Sequence, residues 1–141
     1  MADNDSLVEL HTASIDACKG YEEAIRDAEK PALKALFQRA KSIHEKAHAE
    51  LHGILTVRAA APDDEGSFMS TVHKAVISVR SAVVGIDERS LSSFASGEER
   101  IVEAYDKAIE ANREDGPVRN VLEAQQSALR ELIGDMEIEA D

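Results

Sequence analysis

The 141 residues contain no tryptophan, one cysteine, three prolines and seven glycines, and aromatic residues make up 4% of the chain. A single cysteine excludes an internal disulfide framework and suits a reducing compartment. So few helix breakers exclude a turn-rich β architecture and leave room for long uninterrupted helices. Cations are scarce as well: Lys and Arg number 16 against 28 Asp and Glu, a net charge of −12. A surface of that sign repels phosphate backbones and anionic lipid, so neither nucleic acid nor membrane is expected as a partner. No apolar run approaches the ~18 residues of a membrane span. The opening MADNDSLVEL is acidic where a secretory leader would be basic, so cytoplasmic residence is expected. What the chain has is 43% hydrophobic residues within a length ordinary for one domain.

Those hydrophobic residues recur at helical spacing. The pattern predicts a single domain over 1–141, with helices at 5–29, 31–59, 67–84, 87–114 and 117–137. Lys30-Pro31 and Asp115-Gly116-Pro117 are strong breaks, and each turns a pair of long helices into an antiparallel hairpin. The first helix presents Leu7, His11, Ser14, Ile15, Cys18, Tyr21, Glu22 and Ile25 inward; the second presents Leu33, Phe37, Ala40, His44, Ala47 and Leu51. Residues 60–86 join the hairpins. A helix of the predicted length at 67–84, stopped by Gly85, covers ~25 Å and returns the chain along the bundle. All-α is therefore the fold class. The predicted architecture is a ferritin-like four-helix bundle with a long crossover holding a short extra helix. Val76, Val79 and Val83 on that short helix form an apolar stripe suited to a second subunit, which makes a homodimer the expected assembly.

Several stretches in this order carry a resemblance: GYEEAI (20–25), PALKALFQ (31–38), GEERIVEAYDKAIE (97–110) and VRNVLEAQ (118–125). Together they resemble a small bacterial ferritin-like four-helix-bundle family of unknown function, rubrerythrin-related by label. The resemblance implies the fold, cytoplasmic residence and a stress-associated role, and it supplies no activity. That family carries a histidine and an aspartate late in its last helix, where this chain has Ile133-Gly134.

Ferritin-like di-iron centres take a carboxylate from each of two helices and a Glu-x-x-His pair from each of the other two. Here one such pair falls on a long helix, Glu45 with His48, and Glu45 points ~120° from the stripe. The last helix offers Glu123-Ala124-Gln125-Gln126 with no histidine, so a full di-iron set is absent. Axial bookkeeping at 1.5 Å per residue gathers the inward polar residues into two layers. The upper holds Glu22, His44 and Glu98, a carboxylate–imidazole set that suits iron, manganese or zinc. The lower holds His11 and His48, with Gln125 and Tyr105, as a second candidate metal layer. Both layers also read as hydrogen-bonded register devices that need no cofactor. His52, ~100° off the stripe, is expected in solvent, and Cys18 reads as a small core hydrophobe. No glycine-rich phosphate loop, nucleophile triad or CxxC is present, so no catalytic residue is nominated.

Three functions follow from these residues. The first is a non-catalytic cytoplasmic bundle with a degenerate or absent di-iron site. The second is a metal-binding or redox bundle using the inward carboxylate–histidine cluster. The third is a docking module built on the second helix, where Lys30, Lys34, Arg39, Lys41, Lys46 and Arg58 face only Glu45 and Glu50.

Overall fold

Pro31 fixes the start of the second helix, because its ring suits the first helical turn and Lys30 before it is held extended at ψ 131°. The computed structural model describes residues 4–60 and 90–140. Four helices fill them: α1 (Asn4–Asp27), α2 (Pro31–Val57), α3 (Leu91–Ala111) and α4 (Gly116–Ala140). The chain is all-α, and the four long predicted helices are present. The expected short helix at 67–84, its stop at Gly85, the valine stripe and the crossover from Ala61 onward lie outside the described residues.

Helix α2 ends two residues earlier than expected, at Val57, and is closed by a double cap. Ala59 N–H donates to Thr56 and Ala60 N–H to Leu55, which forces Ala59 to φ 56°. An alanine there costs roughly 1 kcal/mol that glycine would avoid. Helix α4 runs through Ala140, three residues past the expected end at 137. Ala140 packs on the core and draws the last turn into register.

Side-chain pairs set the direction of each helix. Cys18 meets Lys41 and His11 meets His52, so α1 and α2 are antiparallel. Tyr105 meets Gln125, and Gln126 meets the Val102 carbonyl, so α3 and α4 are antiparallel. His44 meets Glu98 while Arg58 meets Asn112, fourteen residues further along each helix (44 to 58, 98 to 112), so α2 and α3 are parallel. Helix α1 also packs on α3 and α2 on α4, which closes a four-sided bundle. Its interior is leucine-rich, with Leu33, Leu51, Leu55, Leu122 and Leu132 fully sealed and Phe37 between them.

Arg58 ties the lower end together. Its guanidinium donates to Asn4 Oδ1 at 3.2 Å, Asn112 Oδ1 at 2.9 Å and Asp115 Oδ2 at 2.8 Å. Asp115 Oδ1 also accepts the Val118 N–H, capping α4. The Arg58 hydrogen bond, helped by that backbone N–H, holds the Asp115 carboxyl below its usual range. A depressed carboxyl stabilises the fold above the ordinary Asp value of about 3.9 and stops doing so as pH falls through the lower folded value. The midpoint advantage of wild type over Asp115→Asn is thus constant from neutral pH down to about the ordinary Asp value of 3.9, shrinks below it and is gone once pH has passed the lower folded value. A thermal series across this range checks it, and a gap independent of pH would refute the staple.

Candidate metal centre

The upper layer forms around one carboxylate. His44 sits in the apolar stripe of α2 and Glu98 in that of α3, and each is almost completely buried. His44 Nε2 lies 2.9 Å from both Glu98 oxygens, so its N–H donates to the carboxylate from the dry side of the bundle. The Tyr21 hydroxyl donates to the same carboxylate, and its ring stacks on His44 at 6.0 Å and on Phe94 at 5.5 Å. Burial foremost, with the Glu98 charge beside it, pushes the Tyr21 phenol well above its ordinary range.

Glu22 does not join this layer. It is exposed and lies 3.4 Å from Lys41 Nζ on the outside of the hairpin. The inward stripe of α1 is Leu7, Leu10, Ser14, Ala17, Tyr21 and Ala24, so Glu22, ~100° round from Tyr21, falls on the rim. A dinuclear carboxylate centre does not fit this interior. Among the described residues Asp16 is the other fully buried acid, and at nine residues from Leu7 it stands ~180° from the core stripe. Ile133 is buried as well, without a ligand atom to offer.

The expected lower layer divides in two. Tyr105 Oη donates to Gln125 Oε1 at 2.7 Å, and Gln125 Nε2 donates to Glu50 at 3.0 Å, which links α3, α4 and α2. His11 and His48 turn instead to the seam between α1 and α2, where His52 meets them. The ring centroids stand 4.4 Å (11 to 48), 5.3 Å (11 to 52) and 5.9 Å (48 to 52) apart. His11 Nε2 is 3.1 Å from His52 Nδ1. One nitrogen from each ring lies within 4.8 Å of the other two, and no other trio of His, Cys, Asp or Glu among the described residues draws so close.

The placement of His52 corrects the expectation that it is solvated. A rotation of ~100° from the bundle axis removes a side chain from the four-helix interior but aims it at the adjacent helix. His52 is half-buried there, like His48, while His11 is sealed. Two features of the sequence point to the trio. His48 and His52 are four apart and share a face. His11 precedes the Lys30 turn by 19 residues and the pair follows it by 18 and 22, so an antiparallel hairpin sets all three at one level.

Three imidazoles without a carboxylate form a neutral nitrogen set. A tetrahedral ion with bonds of 2.0–2.1 Å holds its ligand atoms about 3.3–3.4 Å apart. The His11–His52 nitrogen separation is already near that edge, and a His48 nitrogen lies within 4.8 Å of a nitrogen on each of the other two rings. Cys18, on the same seam, stays outside the trio. Burial, then the Glu45 charge, pushes its thiol up to about 11, so it packs there as an uncharged hydrophobe.

Three of the six cations grouped on the second helix pair with other elements: Arg39 with Asp135, Lys41 with Glu22 and Arg58 with Asp115. No helix of the described residues is long and apolar enough to cross a membrane. No curated protein and no solved structure matches the chain. Residues 3–111 do match a family, about three-quarters of the sequence, and the chain belongs to that family, described as Domain of unknown function (DUF2383).

Proposed function

We propose that the protein is a ferritin-like bundle that binds one divalent transition-metal ion between α1 and α2 through His11, His48 and His52. The ferritin-like assignment is supported by parallel α2 and α3 between two antiparallel hairpins, an arrangement that a long crossover produces. The convergence of the three imidazoles, one nitrogen each within 4.8 Å, carries the metal assignment. Imidazole donors suit zinc, copper or nickel and are poor partners for magnesium, calcium or manganese. Zinc is the ion proposed, in a binding role with no redox step. The buried His44–Glu98–Tyr21 group is proposed as a register device. The protein is further proposed to reside in the cytoplasm, to self-associate as a dimer and to perform no chemistry in its bundle interior.

Calorimetric titration of tag-free, chelator-stripped protein with zinc tests this reading. One ion binds per chain. His11→Ala and His52→Ala each weaken binding by more than about 100-fold, beyond the loss expected for a mere outer-sphere partner. Zinc uptake of equal affinity in His11→Ala would overturn the assignment.

A further inference from the structure

We infer that the outer face of α2 and α4 is the surface through which two copies of this chain pair; this rests on the self-association proposed above. Arg39 with Asp135 and Glu50 with Gln125 join the two helices, which run antiparallel. Beside the upper of these pairs lies a groove lined by Ala32, Ala35, Leu36 and Ile138. Ile138 is 74% exposed there, and Leu36 is half-buried.

Charge selects the occupant. A net charge of −12 opposes the pairing of two copies unless cations of one meet acids of the other. This face is divided in that way. Its α2 half carries Arg39 and, two turns further on, the exposed Lys46; its α4 half carries Asp135, with the exposed Glu131 and Glu139 one turn to either side. A two-fold axis parallel to the helices lays α2 of each copy over α4 of the other at the same level. Leu36 precedes Arg39 by three residues and Ile138 follows Asp135 by three, so each Ile138 meets the partner's Leu36. Each Lys46 comes within about one helical turn of the partner's Glu131, and the two Arg39–Asp135 pairs join in one network. The area suffices as well. At 1.5 Å per residue the 25 residues of α4 give a face about 37 Å long, and two helix widths make it about 20 Å across. That is roughly 700 Å² per copy, near the ~800 Å² of a standard interface.

Light scattering and sedimentation of tag-free, chelator-treated protein test this face. The wild type has the mass of two chains. Ile138→Glu, whose contact the symmetry repeats, weakens pairing by more than about 100-fold with helix content unchanged. Lys46→Glu weakens it about tenfold, and adding Glu131→Lys restores it, because each reversed charge again meets its opposite across the axis. A dimer that Ile138→Glu and Lys46→Glu leave intact would overturn the face and leave self-association standing. A wild type that stays a single chain would overturn both, and a lower unfolding midpoint in its Ile138→Glu variant would then give the face to residues 61–89.

Discussion

Glu98→Leu lowers the stability of the bundle by about 3–5 kcal/mol, the cost of breaking a buried charged or hydrogen-bonded pair by removing one member. For a chain of this size that is a midpoint drop of roughly 10–20 °C. The substitution keeps side-chain volume, so the loss does not come from a cavity. It comes from His44 Nε2 and the Tyr21 hydroxyl, which both donate to Glu98 and have no water to replace it. His44→Leu costs a similar amount, because Glu98 then keeps only Tyr21 as a donor. The two changes together cost less than their sum, since both halves of the pair leave the dry core at once. What remains is the Tyr21 hydroxyl, and adding Tyr21→Phe brings the triple variant within about 1 kcal/mol of wild type. Chemical denaturation of wild type and the four variants checks the cycle and its extension. Strictly additive losses, or single losses below 1 kcal/mol, would show that water reaches the pair and that the layer does not depend on mutual satisfaction.

That pair was legible because each member interrupts a stripe with little ambiguity. His44 follows Leu33, Phe37 and Ala40 and precedes Ala47 and Leu51 at steps of three and four, and Glu98 falls between Phe94 and Tyr105. Large side chains at such steps fix the inward direction to within a fraction of a turn. Helix α1 offers no such certainty. Much of its core face is small, with Ser14, Ala17 and Ala24, while Ile15 and Ile25 lie on its flank. Weighting the larger residues turns the face toward that flank, and this brought Glu22 inward and left Leu10 out. The histidine trio escaped for a different reason. Inwardness was measured from the bundle axis, and a seam between two adjacent helices lies off that axis. The helical hairpin itself, read from Lys30-Pro31, already held the level of all three rings.

Zinc at one hundred times its dissociation constant raises the stability of the wild type by ~2.7 kcal/mol, a gain that excess EDTA removes. The gain needs no new packing. A ligand that binds only the folded chain shifts the unfolding equilibrium by mass action, and His11 reaches the other two rings only when α1 lies against α2. Acid competes for the same nitrogens. Imidazoles ligate in the neutral form, so the zinc-dependent gain weakens as pH is lowered. His11→Ala abolishes the gain at every pH, although the residual pair His48 and His52 sits four apart on one helix. That control separates the proposed site from adventitious binding, because an i, i+4 pair holds its ion whether or not α1 is docked, provided α2 is helical. Thermal scans of wild type and variant with zinc, and then with chelator, give the answer. An equal midpoint rise in His11→Ala would assign the metal to α2 alone and remove the link between ion and hairpin. A wild-type midpoint that zinc does not move would leave the three histidines as a hydrogen-bonded seam.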